Sequence, residues 1–535
     1  MQETHLPTSE YDSKLEKMAA RAVVDAYAAQ NPQCSVDYSN CPEFQNVALY
    51  TPALSEGYIN TVTRLGLREK AARANGDAKS DPFDGLTFGA DDLKFINPDS
   101  KLCFYPWVLY SGGQGAKTDE KASQVNWVTD KPARDPKVVV IGDSGGFQIQ
   151  QQTIPFDPQS TPRRMLGWLE ATADESMILD FPTGGIATGA MVPHVERLKQ
   201  SGEPIAKLAK RHGFSEGYIA CLRQTEINNV FFQQNRNPKA TNLLNVIQGR
   251  NEAESVFWYE RVKHFSQSAH GAFEGWAFAG KHSVQLSMTL RRLIQMRDDK
   301  LLQPDQFIHF LGVSTLKVGV ALTFIQRTLR EHTDAHGVQL TFDSKSPVDA
   351  MSNGYQAFSG YDFSKDKWSI RTQPSNIAEN EGSTRPLTTL ALDWVTAAEQ
   401  RLLARSSLGN LLTLGDLVAS RDPTNGTRIP NALQQLLLVH HNTQALIEAF
   451  REAYTYLEPR HLIDRPSSFQ ALDEVVQMIF RTEAPMSLIQ KLEGRSGTPL
   501  QVIEDLRNLP NQPYKTIEAA QDQLDALAYE GVFGK

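Results

Sequence analysis

Six apolar runs of this chain end in polar residues or glycine, and most of these ends recur at a similar interval. Asp143 and Asp180 are 37 residues apart, and three further intervals between Gln248 and Asp343 measure 32, 32 and 31 residues. A strand and its crossover helix together take about 30 residues, so this interval predicts repeated β/α units. The runs are VVVIGDSGGFQ (138–148), MILDFP (177–182), LLNVIQG (243–249), WAFAG (276–280), FIHFLGVST (307–315) and QLTFDS (339–344).

The interval predicts an α/β fold of the (β/α)8 TIM-type barrel class in 45–365. NVALYTPAL (46–54) and KLCFYPWVLY (101–110) are candidates for early strands, and a glycine-rich loop is expected after the second. The chain has 535 residues. Such a barrel needs only about 250, so additions are expected. We predict a helical extension in 1–44, a helical insertion in 183–241, where one interval doubles to 68 residues, and an all-helical region in 366–535 that begins with a linker.

Composition narrows the class of protein. The chain is 40% apolar and 22% charged, as in ordinary globular proteins, and it has no apolar run long enough to cross a membrane and no apolar leader. A cytoplasmic protein without a membrane partner is expected. The net charge of −8 argues against coating nucleic acid through bulk charge, but two helical stretches could form local basic faces. For either stretch alone, a solvated helix face is the commoner role. These stretches contain Arg197, Lys199, Lys207, Lys210 and Arg211 in one case, and Arg291, Arg292, Arg297 and Lys300 in the other.

The four cysteines do not predict a disulfide framework or a zinc site, because Cys34, Cys41, Cys103 and Cys221 are scattered. We therefore predict no metal and no cofactor.

The segment GDSGG at 142–146 also surrounds the nucleophilic serine of trypsin-like proteases. That chemistry requires a histidine base and an aspartate upstream of the serine. The only histidine before Ser144 is His5, in a polar N-terminal segment. The sequence therefore favours a parallel strand that ends at Asp143 over a serine protease.

The ordered set DSGGFQ, LDFP, IQG, WAFAG, FLGVST and TFDS resembles the queuine/archaeosine tRNA-ribosyltransferases, the tRNA-guanine transglycosylases. The resemblance covers about 138–350, with a weaker match in LLLVHHNTQALIEAFREA (436–453). It implies a (β/α)8 barrel that exchanges a guanine of a polynucleotide for a 7-deazaguanine.

The resemblance implies a catalytic role for two aspartates. Asp343 matches the family's nucleophile, and a carboxylate can attack C1′ of a nucleoside and hold the sugar as an ester. Asp143 matches the general acid/base that protonates the departing guanine. For either aspartate alone, an N-cap or turn role is the commoner one. The two together, in this order, favour the catalytic interpretation.

The resemblance also implies the base-binding residues. Asp180 and Gln248 match the side chains that bind the guanine edge, because a carboxylate accepts the N1–H and amino protons and an amide pairs with O6. Phe147 and Leu311 match the two faces of a sandwich around the base, although barrel core is an equal alternative for Leu311. The remaining substrate-binding candidates are Ser144, Gly145, Gly146, Gly249, Gly280 and Lys281.

The departures from the family are informative. The tRNA enzymes hold a structural zinc with three cysteines and the histidine of an HN pair, but here His441 and Asn442 follow no cysteine later than Cys221. The missing cysteines and the insertion in 183–241 together make the chain more similar to the DNA-guanine transglycosylase branch, the DpdA group. DNA is then the expected polynucleotide, with helicase- or nuclease-like proteins as partners. A zinc-free tRNA enzyme and a non-catalytic partner subunit are the alternatives.

Lys281 bears on the incoming base. The bacterial queuine-pathway enzymes have an apolar residue at the corresponding position, where a carbonyl meets an aminomethyl ammonium group. A lysine there would repel a cationic base. The resemblance therefore implies a neutral 7-deazaguanine such as the 7-cyano form, preQ0.

Overall fold

The strand-like runs form the strands of a parallel sheet in the computed structural model. The structure describes residues 36–267, 271–313, 315–363, 368–390, 402–422, 424–458, 467–481 and 513–528. The extension predicted in 1–44 therefore lies mostly outside the described residues, as does the part of the C-terminal region in 391–401 and 482–512.

Eight strands form this sheet: β2 (Leu49–Pro52), β4 (Trp107–Ser111), β5 (Val139–Asp143), β6 (Glu175–Met177), β7 (Asn242–Ile247), β8 (Gly275–Phe278), β9 (Phe307–Phe310) and β10 (Gln339–Ser344). Their order is β2-β10-β9-β8-β7-β6-β5-β4, and all seven neighbouring pairs are parallel. A parallel bridge between Ala53 and Leu109 nearly closes the ends of the sheet into a barrel. The prediction of an α/β barrel is confirmed at this level.

The strands are apolar because both faces are covered. In β8 every residue is buried, and the rings of Phe278 and Phe310 on neighbouring strands stack with centroids 5.0 Å apart. Such continuous apolar runs are typical of parallel strands that lie between a core and a layer of helices. Asp143 and Asp343 lie at or near the C-terminal ends of such strands, where the site is expected.

Helices follow most of the strands. The α-helices of the described residues are Glu56–Asn75, Gly112–Gly115, Asp119–Ala122, Gly146–Gln150, Ser160–Thr172, Val192–Gln200, Ile205–His212, Glu216–Asn235, Glu252–Val262, Leu286–Asp298, Leu316–His332, Ser346–Ser352, Ser407–Leu411, Ala432–Thr455, Ser467–Phe480 and Pro513–Ala528. Three of them lie in 183–241, where a regular unit would place one.

The chain divides into two compact units. The barrel unit contains 39–59, 105–345 and the described residues from 453 onwards, and the second unit contains 36–38, 60–104 and the described residues of 346–452. In the barrel unit, Ser287 donates a hydrogen bond of 2.9 Å to Asp525, and Gln477 donates one of 3.2 Å to Thr328. The two C-terminal helices thus pack against helices of the barrel.

The prediction of an all-helical region in 366–535 is not confirmed. Strand β12 (Ser369–Pro374) lies inside it and pairs antiparallel with β11 (Gln356–Asp362) in the second unit. A further short parallel pair in this unit joins β1 (Val36–Asp37) to β3 (Cys103–Phe104). The β-branched Ile370 and Thr372 favour a strand, although the serine, asparagine and proline content after them predicted a linker.

No helix within the described ranges has both the length and the apolar character needed to cross a bilayer.

Candidate active site

The predicted site residues follow the C-terminal ends of neighbouring barrel strands. Asp143 is the last residue of β5, and its backbone is in register with Ser111, the last residue of β4. Asp343 lies near the end of β10, while Asp180 and Gln248 follow β6 and β7. Because the strands are parallel, their ends meet on one rim of the barrel. The fold therefore brings the two predicted catalytic carboxylates and the predicted base-binding pair onto the same rim.

Asp343 is fixed through one of its two carboxylate oxygens. The backbone N–H of Gly312 donates to Oδ1 at 2.9 Å, and Nε2 of His309 lies 3.2 Å from the same atom. Among the described residues, none forms a hydrogen bond to Oδ2. The side chain is 14% exposed. One oxygen is thus held in place, while the other remains available to a reacting atom.

His309 supports Asp343 from within the barrel. The side chain is fully buried, and Nδ1 lies 2.8 Å from Oγ1 of Thr341, the residue in register with it on β10. Since a carboxylate only accepts, the bond to Asp343 requires a proton on Nε2. Nδ1 is at hydrogen-bond distance from the hydroxyl of Thr341, which can donate or accept. This chain of hydrogen bonds fixes the imidazole and, through it, the carboxylate.

Asp143 is held by two donors. The hydroxyl of Ser111 donates to Oδ2 at 2.5 Å, and the N–H of Gly145 donates to Oδ1 at 3.3 Å. Burial raises the pKa of Asp143 above its usual value, and the nearby charge of Asp343 adds to this, whereas the two hydrogen bonds oppose it. A raised pKa means that this carboxyl group holds its proton to a higher pH than an exposed aspartate does.

Asp180 and Gln248 form a buried pair. The amide of Gln248 donates to Oδ2 of Asp180 at 2.7 Å, and Thr183 donates to the other side of the same amide at 3.4 Å. Burial raises the pKa of Asp180 to about 7. The pair presents a carboxylate, an amide N–H group and an amide oxygen in a buried position. These are the groups that pair with the polar edge of a purine.

Glycines bring backbone close to this pair. A Cβ on Gly146 would lie 2.4 Å from the carbonyl oxygen of Asp180. Gly280 has φ +65°, and a Cβ there would lie 2.9 Å from the carbonyl oxygen of Gly249 and 3.0 Å from Oε1 of Gln248. No other residue fits these two positions without movement of the buried pair.

The other predicted substrate-binding residues occupy different environments. Phe147 is 52% exposed at the start of helix Gly146–Gln150, Leu311 is half-buried after β9, and Lys281 is exposed after Gly280. Ser144 is fully buried, and its hydroxyl donates to the carbonyl of Ile178 at 2.9 Å. The rim therefore offers Phe147, Leu311 and Lys281 to a ligand, while Ser144 joins the ends of β5 and β6.

Sequence reasoning missed two residues that contact Asp143 and Asp343, the two predicted catalytic residues. Ser111 directly follows the run KLCFYPWVLY, so the rule that selected the other strand ends would have selected it. His309 lies inside the run FIHFLGVST and resembles core by position. A polar residue in an otherwise apolar strand was the available signal.

The HN pair does not form part of a zinc site. Burial lowers the pKa of His441 to about 4, so its imidazole is neutral. It donates from Nε2 to the carbonyl of Phe358 at 2.9 Å and accepts from the hydroxyl of Ser406 at 2.6 Å. Asn442 accepts from the N–H of Phe358 at 2.8 Å. The described residues contain no group of three potential metal ligands, and both nitrogens of His441 are occupied, so this donor set does not fit zinc.

Comparison with known proteins does not assign the chain to a family. The chain matches no protein-family model, and no curated protein matches it.

Proposed function

We propose that this protein is a base-exchange transglycosylase that replaces guanine in DNA with a neutral 7-deazaguanine such as preQ0. The observation that carries the proposal is the arrangement on the rim. Asp343 has one carboxylate oxygen to which no described residue hydrogen-bonds, Asp143 has a raised pKa, and the Asp180–Gln248 pair follows β6 and β7. Together they supply a nucleophile, an acid/base and a purine-binding edge.

The first half of the reaction forms an ester. Oδ2 of Asp343 attacks C1′ of the target nucleotide, the C1′–N9 bond breaks, and its electron pair goes to the guanine. Asp143 gives its proton to the departing base. His309 and Gly312 hold Oδ1 throughout, so that the free oxygen faces the sugar. Guanine then leaves, and the DNA remains bound to Asp343 through C1′.

The second half returns the enzyme to its starting state. The incoming 7-deazaguanine loses its N9 proton to Asp143, and N9 attacks C1′. The C1′–Oδ2 bond breaks and Asp343 recovers its charge. Because the attack occurs twice on the same carbon, the original configuration at C1′ is retained.

The buried pair recognises both bases. The carboxylate of Asp180 accepts from N1–H and the exocyclic amine, and the amide of Gln248 donates to O6. Entry of a base separates the two side chains, which otherwise bond to each other at 2.7 Å. Phe147 and Leu311 supply flat or apolar surface on either side of the ring. Lys281 disfavours a cationic substituent on the incoming base.

Two features favour DNA over tRNA. The HN pair binds Phe358 and Ser406 of its own unit in place of zinc, so the element that carries the zinc in the tRNA enzymes is rebuilt. Three helices replace one after the strand that precedes Asp180. A target base in DNA must be extruded from the duplex or presented in a single strand. Because extrusion from the duplex costs a few kcal/mol, we expect a helicase- or nuclease-like partner that opens the DNA. A zinc-free tRNA enzyme is the second candidate.

A covalent-trapping experiment tests the chemistry. The protein is incubated with a fluorescent, guanine-containing single-stranded oligodeoxynucleotide and no free base, then denatured and separated on a gel. A labelled protein band is expected for the wild type and not for Asp343→Asn, which keeps the shape of the side chain. Asp343→Ala should also lack exchange activity. An adduct of equal yield in Asp343→Asn would remove Asp343 from the mechanism.

A further inference from the structure

The insertion after β6 carries three exposed cations on one helix face. In helix Ile205–His212, Ile205 and Ala209 are buried, whereas Lys207, Lys210 and Arg211 are exposed. Positions separated by three and four residues lie on the same side of a helix. The three cations therefore form one outward stripe, although the whole chain has a net charge of −8.

These cations differ from most others of the two basic stretches. Arg197 donates to Gln224 at 2.7 Å, and Lys199 lies 2.7 Å from Glu216. The second stretch is engaged as well: Arg291 and Arg292 pair with Glu252, and Arg297 pairs with Asp298. In the described part of the chain, no acidic group pairs with Lys207, Lys210 or Arg211. Their charges thus remain available to an anionic partner.

The helix that carries the stripe contacts a helix that follows one of the strands of the candidate site. A helix that follows a parallel strand runs back along it, so the first residues of helices Glu216–Asn235 and Glu252–Val262 lie near the C-terminal strand ends. Phe257, the middle residue of the second of these helices, has its ring 4.7 Å from that of His212. The C-terminal end of helix Ile205–His212 therefore packs against the helix that follows β7, the strand that precedes Gln248.

We propose that Lys207, Lys210 and Arg211 bind phosphates of the single-stranded DNA that flanks the target guanine. This proposal rests on the proposed function, because it names the surface by which the same site holds its polynucleotide. Exposed, unpaired cations bind phosphate by releasing counterions, so the contribution depends on salt and not on base sequence. The stripe provides affinity and orientation, while Asp180 and Gln248 provide the choice of base.

The test compares two triple variants with the same change of charge. In the first, Lys207, Lys210 and Arg211 are changed to Gln. In the second, the control, Lys137, Lys239 and Lys300 are changed to Gln. These exposed lysines precede β5, β7 and β9, so they lie at the opposite end of the barrel. Binding of a fluorescent oligodeoxynucleotide is measured by anisotropy between 50 and 300 mM salt for the wild type and both variants.

The first variant should bind the oligodeoxynucleotide about 10- to 100-fold more weakly at low salt. The slope of log K against log salt should be smaller in magnitude by about 2, because three phosphate contacts are lost and each contributes about 0.7 on a single strand. The control should change by less than about 2-fold. Guanine affinity, measured by equilibrium dialysis, should stay at the wild-type value in both variants, which also shows that the fold is intact.

Equal loss in the two variants, or no loss in the first, would overturn the proposal, since the effect would then be bulk charge or absent. With unmodified tRNA as a second probe, a loss of binding confined to tRNA would overturn the assignment to DNA. Wild-type protein that binds the oligodeoxynucleotide through this stripe but never exchanges guanine would contradict the proposed function and leave the binding surface standing.

Discussion

At the residue scale, three aspartates that lie at or after the ends of barrel strands are held in different ways. Within the described residues, Asp343 accepts hydrogen bonds on one carboxylate oxygen only, Asp143 accepts them on both, and Asp180 pairs with the amide of Gln248. Burial raises the pKa of Asp143 and of Asp180, so both lose their protons less readily than an exposed carboxyl group. Neighbouring carboxylates with distinct environments can divide the roles of nucleophile, acid and base-binding group.

We predict that Asp143→Asn lowers the rate of base exchange by about 10² to 10⁴ and leaves binding nearly unchanged, because an amide keeps the shape but cannot transfer the proton. Single-turnover kinetics with the guanine-containing oligodeoxynucleotide separate the rate from the affinity. The matched control is Ser111→Ala, which keeps the carboxyl group and removes one donor to it. Near wild-type turnover of the Asn variant would return Asp143 to a structural role.

The raised pKa of Asp180 predicts a pH-dependent affinity for guanine. The carboxylate form accepts the guanine protons, and the carboxyl group has a pKa of about 7, so binding below that pH requires loss of a proton. The Kd for guanine should therefore rise about 10-fold per pH unit below 7 and level off above it. Equilibrium dialysis between pH 5.5 and 8 measures this dependence. Asp180→Asn should bind guanine weakly, with a Kd that does not change with pH. A Kd of the wild type that does not change with pH would show that Asp180 does not contact the base.

At the scale of elements, the strand ends are positioned by glycines that tolerate no side chain. We predict that Gly280→Ala weakens guanine binding by at least about 10-fold, since the added Cβ would lie 2.9 Å from the Gly249 carbonyl oxygen and 3.0 Å from Gln248. Gly76→Ala is the control, because Gly76 also has φ +65° but its Cβ would meet nothing within 4 Å. Dialysis with guanine and thermal unfolding are measured for both. Equal effects on binding would mean that backbone strain, not the contact with Gln248, is responsible.

The barrel was predictable because its strands alternate regularly with helices and are apolar on both faces. Polar residues after such runs, among them Asp143 and Asp343, could be assigned to the rim before the fold was known. Strand β12 was not predictable in this way. Its partner β11 supplies the hydrogen bonds, and the Ser- and Pro-containing sequence alone resembles a linker.

The charged residues of the candidate site could be predicted from the sequence. The residues that form hydrogen bonds to them were harder to predict. His309 contacts Asp343 only because Thr341 and His309 come into register on neighbouring strands, and register is a property of the sheet. The role of His441 likewise depends on pairing across the second unit, where Phe358 and Ser406 occupy both ring nitrogens. Sequence patterns give the face on which a side chain lies, and the fold gives its partner.

At the scale of the whole molecule, the two compact units show different uses of the same residue types. The barrel unit places aspartates and a histidine at strand ends, whereas the second unit uses His441 and Asn442 to hold the N–H and carbonyl groups of strand β11. The proposed chemistry therefore belongs to the barrel unit, since its catalytic and base-binding residues all lie in 105–345.

The most direct test of the central claim follows a labelled base into a polynucleotide. Wild-type protein and Asp343→Asn are incubated with radiolabelled guanine and with single-stranded DNA, duplex DNA or unmodified tRNA, and the label in each purified polynucleotide is counted. We expect label in single-stranded DNA with the wild type alone, less in duplex DNA, and a steep fall with salt. Efficient labelling of tRNA with none in either form of DNA would contradict the claim.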